Sequence, residues 1–151
     1  MSSFLSFEPE VAADFISEWE GFSEMAYKCP AGVWTVGYGH TLNVSAGDRI
    51  TREEARKVLI EDIVRVACRL APFINAPVNR NQYIALVSLG FNVGPDYVLH
   101  HCPKLMQALN AKRYDDCAEE FLDITRAGGK VLPGLVKRRQ AEYDLFAGGS
   151  E

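Results

Sequence analysis

The segment from about Ala26 to Ile50 constrains the fold most, because it has the pattern of β-strands in a chain whose other segments have helical periodicity. Turn residues stand at 30–32 and 45–48, and the residues from Val33 to Gly39 alternate between two faces. This pattern predicts a small antiparallel sheet. A sheet of this size is not stable alone, so helices from the rest of the chain must cover it.

The first predicted helix runs from about Glu8 to Glu20 and leads into the sheet. Proline is tolerated in a first helical turn, as at Pro9, and Gly21 is a stop signal. The apolar residues at helical spacing predict its buried face: Val11, Phe15, Ile16 and Trp19. Glu20 therefore falls at a helix end, where its backbone is anchored and its side chain can point into a cleft.

A long helix is predicted directly after the sheet. Thr51 and Glu54 have the spacing of a capping box, which starts a helix, and the helix should stop before Pro72. Its apolar face consists of Ala55, Val58, Leu59, Ile63, Val66 and Leu70. Asp62 interrupts that face and requires a partner, because burial of an unpaired carboxylate is costly. We predict that this helix joins a sheet lobe to a helical lobe.

Four more helices are predicted, from Asn79 to Gly94, Pro103 to Ala111, Tyr114 to about Thr125 and Pro133 to Phe146. The first is apolar nearly all round, which indicates burial on most sides. The apolar stripe of the last consists of Leu132, Leu135, Val136, Tyr143 and Phe146. Residues 137–139 of that helix are cations, which we interpret as a solvated face. The alternative is that Arg138 or Arg139 reaches the cleft.

These elements predict an α+β fold in one domain over residues 1–151, with a substrate cleft between two lobes. The sheet lobe spans about 21–50, and the helical lobe spans about 51–147 with the N-terminal helix at about 8–20 added to it. A chain of 151 residues with 48% hydrophobic content is long enough for one core but not for two large domains.

Composition excludes several classes of function. A net charge of -4 argues against a nucleic-acid-binding protein, which needs clustered cations to displace counterions from phosphates. The four cysteines lack the paired spacing of a zinc site and the density of a disulfide scaffold, so we predict free thiols and no metal. Residues 1–8 have no basic region and too short an apolar run for a signal peptide or membrane span. This predicts no stable membrane association.

Three polar residues near the predicted hairpin are candidates for catalysis: Glu20, Cys29 and Thr35. Inverting glycoside hydrolysis requires an acid that protonates the leaving group and groups that hold a water on the opposite side of the scissile bond. Each residue also has an ordinary explanation, as a solvated carboxylate, a small buried apolar residue and a strand residue respectively. The glycines that follow lack the remaining pattern of a phosphate-binding loop.

The spacing of these three residues resembles that of a known family. Eight residues separate Glu20 from Cys29 and five separate Cys29 from Thr35, which resembles the Glu-x8-(Asp or Cys)-x5-Thr pattern of the phage-type lysozymes, or endolysins (glycoside hydrolase family 24). The similarity covers nearly the whole chain through the segments 19–22, 36–41, 82–83, 91–94 and 128–135. One departure is Cys29, where many members of the family carry Asp.

The resemblance implies a lysozyme-like fold and a muramidase that hydrolyses the β-1,4 bond between N-acetylmuramic acid and N-acetylglucosamine in peptidoglycan, which lyses the bacterial host. Glu20 would be the general acid, and Cys29 and Thr35 would place and activate the water. The substrate-binding residues implied are Tyr38, Thr41, Phe91, Asn92 and Gly94. No cofactor is implied. The partner is the glycan strand, and the enzyme would be a monomer made in the host cytoplasm and released to the periplasm through a phage-encoded membrane pore.

His40 and Asp62 are predicted to have a structural role. His40 ends the glycine-rich strand and Asp62 lies on the apolar face of the long helix, so we predict a partly buried ion pair that joins the sheet lobe to the helix. The family resemblance places the same pair there. The alternative is that Asp62 pairs only with Arg65 or Arg69 of its own helix.

Two other functions remain open. A lytic transglycosylase would use Glu20 alone and cyclise the muramic acid, although Cys29 and Thr35 at the family spacing argue against it. A glycan-binding protein without catalysis is supported by the Asp-to-Cys departure.

Cys29 itself has three interpretations, as a water-positioning base, a nucleophile or a structural thiol. The first is favoured, because Thr35 is a suitable second hydrogen-bonding partner for a water.

Overall fold

A computed structural model describes residues 2–148 of the protein. Met1 and residues 149–151 belong to the predicted domain span and lie outside the described residues. The helices are α1 (Glu10–Glu20), α2 (Arg52–Leu70), α3 (Arg80–Val93), α4 (Pro95–His101), α5 (Pro103–Asn110), α6 (Tyr114–Phe121) and α7 (Pro133–Gly148). The strands are β1 (Ser23–Lys28), β2 (Trp34–Gly37), β3 (Arg126–Ala127) and β4 (Lys130–Val131). The predicted α+β class is confirmed.

The main sheet contains two antiparallel strands, with Tyr27 opposite Thr35. The prediction that strand alternation continues to Gly39 was wrong, because β2 ends at Gly37. Gly37 and Gly39 have φ values of 65° and 75°, which glycine adopts without steric cost. The chain therefore turns back on itself at 38–39, and His40 pairs with Val36 in an isolated bridge. This turn places Gly39 beside the end of α1.

Helix α2 begins with the predicted capping box. The Thr51 hydroxyl accepts a hydrogen bond from the Glu54 N–H at 3.1 Å, and the Glu54 carboxylate accepts one from the Thr51 N–H at 3.0 Å. The helix ends at Leu70, and a short 3-10 helix at Ala71–Phe73 contains the predicted terminator Pro72. Helix α2 contacts β2 and also α1, α3 and α4, so it joins the sheet to the helices.

Helix α3 is the centre of the core, as its all-round apolar pattern predicts. Every residue from 82 to 90 is buried, and α1, α2, α4 and α7 pack against this helix. A capping box between Asn79 and Gln82 starts it. The absence of a side chain at Gly90 allows close approach to α2, since a β-carbon there would lie 2.8 Å from Val66.

The C-terminal part differs from the prediction in three ways. Helix α4 was not predicted, and α6 ends at Phe121 instead of continuing to Thr125. Helix α7 is rotated relative to the predicted stripe: Leu132 and Val136 are exposed, while Arg138, Arg139 and Glu142 are buried. The prediction that the cations form a solvated face was therefore wrong for both arginines. Their burial is possible because carboxylates accompany them.

Candidate active site

Glu20 is the last residue of α1, and its backbone is held by the end of the helix. Gly21 follows with φ at 68° and donates its N–H to the Ser17 carbonyl at 3.3 Å. This glycine turns the chain into β1, while the Glu20 side chain points inward and is only 18% exposed. A carboxyl group in this position is anchored at its backbone and partly shielded from water.

Arg138 of α7 holds one oxygen of Glu20. Its Nη1 donates to Glu20 Oε2 at 2.6 Å, and its side chain is 5% exposed. A charge-assisted contact of this length fixes the orientation of the carboxyl group. Oε2 is thus occupied by the guanidinium, and Oε1 lies on the side of Gly39.

Gly39 closes the other side of the carboxyl group. A β-carbon built at Gly39 would lie 2.7 Å from Glu20 Oε1 and 3.8 Å from the ring of Phe91. The site therefore needs a glycine here for space, in addition to its positive φ. Glu20, Gly39 and Phe91 come from three elements and meet at one point.

Arg138 belongs to a buried network that connects α7 with α3. Glu142 is fully buried, and its Oε2 accepts from the Ser88 hydroxyl at 2.6 Å and from Arg139 Nη2 at 3.2 Å. Arg139 Nη2 also donates to Asn92 Oδ1 at 2.8 Å. Arg139 Nε lies 2.8 Å from Glu142 Oε1, at ion-pair distance but without hydrogen-bond geometry. The guanidinium that touches Glu20 is thus part of a larger set of buried charges.

Cys29 and Thr35 lie close together at the hairpin between β1 and β2. The turn is closed by the Cys29 N–H donating to the Val33 carbonyl at 2.9 Å, and the buried Thr35 hydroxyl donates to the same carbonyl at 3.0 Å. The backbone N–H groups of Val33 and Ala31 lower the pKa of the Cys29 thiol, and the Thr35 hydroxyl adds to this effect while desolvation opposes it. The sulfur is therefore a partly exposed, hydrogen-bonded thiol that carries more thiolate than an ordinary cysteine.

Two pockets flank the contact between Glu20 and Gly39. The smaller, of about 330 Å³, is lined by Glu20 and by Tyr27, the residue that pairs with Thr35 across the sheet. The larger, of about 430 Å³, contains Gly39 and Phe91 and runs along α2. It does not include Glu20 itself, but Gly39 and Phe91 both approach the carboxyl group. A chain-like substrate can lie in both pockets with its reactive bond at Glu20.

The structure places the predicted substrate-binding residues in different surroundings. Thr41 and Phe91 line the larger pocket. The Tyr38 ring packs against Phe22 at 5.4 Å between centroids, Asn92 accepts the hydrogen bond from Arg139, and Gly94 lies between α3 and α4 with φ at 93°. Of the five, two are therefore at the walls of these pockets and three are in the supporting structure.

The predicted contact between His40 and Asp62 is present, with Nδ1 and Oδ2 separated by 2.7 Å. The two side chains are 16% and 17% exposed. The alternative contact exists as well, since Arg65 Nη1 lies 2.6 Å from the other Asp62 oxygen. Asp62 thus joins the turn after β2 to α2 and also holds an arginine at the wall of the larger pocket.

Replacement of Asp62 by asparagine should destabilise the protein by about 1 to 3 kcal/mol, because one partly buried acceptor loses its charge while its two donors remain. Urea unfolding monitored by circular dichroism measures this. The control is Asp96→Asn, which removes a carboxylate from an exposed pair with Arg69 and should cost at most about 1 kcal/mol. Equal losses in the two variants would contradict the structural role of Asp62.

Sequence analysis placed Arg138 at the cleft only as an alternative to a solvated face, and it missed the buried Glu142 behind it. Arg138 and Glu142 fall three and seven residues after Leu135, and Phe146 falls four residues after Glu142. Spacings of three and four residues place all four on one face of the helix. Arg138 and Glu142 therefore lie on the same face as the apolar Leu135 and Phe146. An arginine and a glutamate at this spacing on an apolar face signal a buried ion pair.

The described residues, 2–148, contain no group of histidine, cysteine or acidic side chains arranged to hold a metal ion. Within the same range, no helix is both long and apolar enough to cross a membrane.

Comparison with known proteins identifies the family. Residues 17–142 match the Phage lysozyme family. The chain is 44% identical over 135 residues to an endolysin of Acyrthosiphon pisum secondary endosymbiont phage 1, across 87% of this chain and 91% of that protein. It resembles the solved endolysin from Escherichia coli O157:H7 phage FAHEc1 with a TM-score of 0.83 and 28% identity over 94% of each chain. The muramidase domain of SpmX from Asticaccaulis excentricus gives a TM-score of 0.81 and 30% identity over 89% of this chain and 93% of that one.

The family match and the site geometry involve the same residues. The matched range, 17–142, contains the Glu20 carboxyl group, the hairpin with Cys29 and Thr35, and Arg138. The predicted lysozyme-like architecture is confirmed by the solved endolysin structure. The chain belongs to the phage lysozyme family and is a muramidase, a glycoside hydrolase that acts on peptidoglycan in bacterial host lysis.

Proposed function

We propose that this enzyme cleaves the β-1,4 bond between N-acetylmuramic acid and N-acetylglucosamine with inversion, and that Glu20 is the general acid. The observation that carries the proposal is the orientation of Glu20 at the smaller pocket, where Oε2 is bound by Arg138 while Oε1 lies beside Gly39. One oxygen is thus fixed and the other is free to carry the proton that the leaving group receives.

Cys29 and Thr35 hold the attacking water in this proposal. Support comes from their contact at the hairpin, where the thiol and the hydroxyl provide two neighbouring polar groups. A water held by two such groups attacks the anomeric carbon from the side opposite the leaving group, which inverts the configuration. A nucleophilic Cys29 would instead form a thioglycoside and retain it.

The anomer that is released first distinguishes these mechanisms. Proton NMR of a soluble glycan fragment, recorded before mutarotation, should show the α-anomer as the initial product of the β-linked substrate. An initial β-anomer would show that Cys29 forms a covalent intermediate, and it would overturn the proposed role of the water.

Substitution of Cys29 should reveal its part in holding the water. Cys29→Asp should retain activity, because a carboxylate can also bind and activate water. Cys29→Ala should lose most activity, roughly 10²-fold, since base assistance is worth about that much. Turnover of soluble peptidoglycan fragments measures both. Full activity of Cys29→Ala would contradict any catalytic role for the thiol.

Alkylation offers an independent test of the same thiol. Iodoacetamide should inhibit the enzyme by filling the water site, and its reaction with Cys29 is favoured by the lowered pKa of that thiol. Cys68 is also exposed, so Cys68→Ser is the control and should remain sensitive. Cys117 is buried, and desolvation raises the pKa of its thiol to about 12, so it should not react in the folded protein. Peptide mass spectrometry locates the modified residue.

Product analysis separates the proposed reaction from its alternatives. Mass spectrometry of digested peptidoglycan should show reducing muramic acid ends. Anhydro ends would indicate a lytic transglycosylase, and the absence of cleavage would indicate a glycan-binding protein.

The substrate is a single glycan strand, and we expect the enzyme to bind it as a monomer, with Thr41 and Phe91 in contact with sugar rings.

Endolysins act on the cell wall, and we expect this enzyme to reach the wall through a membrane pore. Synthesis in the host cytoplasm is expected to be harmless until a pore releases the enzyme to the periplasm. Expression alone should therefore leave cells intact, and permeabilisation of the inner membrane should lyse them. Lysis without permeabilisation would contradict this route.

A further inference from the structure

We infer that Glu142 is a positioning residue for the reaction, which fixes Arg138 and thereby controls how firmly Arg138 holds the catalytic carboxyl group of Glu20. The inference rests on the proposed role of Glu20 as the acid. Glu142 does not touch the cleft, because it is fully buried.

The contacts of Arg138 show how Glu142 acts. Arg138 Nη2 donates to the carbonyl and to the hydroxyl of Ser88, both at 3.2 Å, and Nε lies 3.4 Å from Glu142 Oε2. The Ser88 hydroxyl in turn donates to Glu142 Oε2 at 2.6 Å. Two nitrogens of the guanidinium are therefore held by Ser88 and Glu142. The third, Nη1, is the one that reaches Glu20.

The charges of this cluster are balanced through Glu20. Arg138 and Arg139 carry two positive charges, and Glu142 supplies one negative charge between them. Among the described residues, Glu20 is the other carboxylate at ion-pair distance from these arginines, and when ionised it offsets the remaining positive charge. Desolvation raises the pKa of Glu142, while Arg139, the Ser88 hydroxyl and Arg138 oppose that shift. Three donors point at Glu142 Oε2, so this carboxyl group acts as an acceptor. Its negative charge attracts Arg138 as well, which weakens the attraction between Arg138 and Glu20.

The Cys102 thiol is a further titratable group, and it interacts electrostatically with Arg139. Desolvation raises the pKa of the Cys102 thiol at the start of α5, Arg139 opposes the shift, and Glu120 of α6 adds to it. Neither Cys102 nor Glu120 forms a hydrogen bond or an ion pair with Glu142 among the described residues. Within residues 2–148, the side chains that form hydrogen bonds or ion pairs with Glu142 are those of Arg138, Arg139 and Ser88.

Two single substitutions should move the activity in opposite directions along the pH axis. The acid must be protonated to act, so kcat/KM falls as pH rises through its ionisation. In Glu142→Gln, Arg138 pairs with Glu20 alone, and this alkaline limb should move to lower pH by roughly one unit. In Arg139→Gln, Glu142 has only Arg138 as its cationic partner among the described residues. Arg138 then attracts Glu20 less strongly, and the alkaline limb should move to higher pH.

The experiment compares these two variants, the double variant and a matched control in the full-length enzyme. The double variant Arg139→Gln/Glu142→Gln loses one charge of each sign and should return the limb close to its original pH. Asp116→Asn removes a carboxylate from an exposed pair with Arg113 and should leave the limb unchanged. Thermal unfolding of each protein is recorded in parallel, because a merely structural ion pair would lower stability without a change in the pH profile.

A direct titration separates this inference from the proposed function. Carbon NMR of the Glu20 carboxyl group follows its ionisation without turnover, and it should shift in the same two directions as the activity. A Glu20 titration that is the same in Glu142→Gln, Arg139→Gln and the parent enzyme overturns the inference. If Glu142→Gln does not fold, Arg139→Gln is the remaining test. A Glu20 titration in Arg139→Gln that equals that of the parent enzyme then overturns the inference. Hydrolysis that survives in Glu20→Gln would overturn the acid assignment instead.

Discussion

Replacement of Glu20 by glutamine should reduce turnover by about 10² or more, because the amide keeps the shape of the side chain but cannot donate a proton. The fold and glycan binding should survive, since an amide can still accept the hydrogen bond from Arg138 that the carboxylate accepts at 2.6 Å. Initial rates on soluble peptidoglycan fragments, with binding measured by titration calorimetry, test both halves of the prediction.

Glu24 is the appropriate control for this substitution. It lies nearby on β1 and pairs with Arg49 at 3.2 Å, and both side chains are largely exposed. Glu24→Gln should therefore leave turnover within about twofold of the parent, because an exposed pair contributes little. Substantial hydrolysis by Glu20→Gln, after host muramidase has been excluded, together with a loss in Glu24→Gln, would move the acid to Glu24.

Replacement of Gly39 by alanine should cost about as much activity as loss of the water-holding thiol. The added β-carbon would lie 2.7 Å from Glu20 Oε1, so the carboxyl group must move, and a displacement of about 1 Å at a reacting group can cost about 10² in rate. The loss should appear in kcat more than in KM, because the added methyl group displaces the acid, while the other residues that line the two pockets stay the same. Steady-state kinetics on soluble fragments measure the two separately.

Backbone strain is the other effect of this substitution, and Gly47→Ala controls for it. Gly47 has φ at 86°, similar to the 75° of Gly39, but a β-carbon there has no neighbour within 4 Å. Both variants pay the cost of a left-handed backbone, of order 1 kcal/mol. Only Gly39→Ala should lose activity. Comparable losses in the two variants would indicate that strain, and not the contact with Glu20, is responsible.

Local chemistry made part of the fold predictable. Thr51 with Glu54 marked the start of α2, Asn79 marked the start of α3, and Gly21 marked the end of α1 beside Glu20. Each of these signals acts between residues a few positions apart, so sequence spacing contains the whole interaction.

Features that depend on distant segments were not predictable in the same way. The partner of Glu20 lies 118 residues away, and no local pattern states which side of α7 will meet the end of α1. The turn after β2 was missed because residues 33–39 alternate like a strand, while Gly37 and Gly39 adopt positive φ values that the alternation does not reveal. Burial of the arginines on α7 likewise depends on charges supplied by Glu20 and Glu142.

The separation of Glu20 and Arg138 in the chain has a consequence for biosynthesis. Helix α1 and the hairpin leave the ribosome early, whereas α7 follows every other helix that the structure describes. Because synthesis proceeds from the N-terminus at about 5–20 residues per second, the nascent protein carries its acid before it carries the guanidinium that orients it. Premature termination before α7 yields a polypeptide with Glu20, Cys29 and Thr35 but an unheld carboxyl group. Translation must therefore reach α7 before the active site of this enzyme is complete.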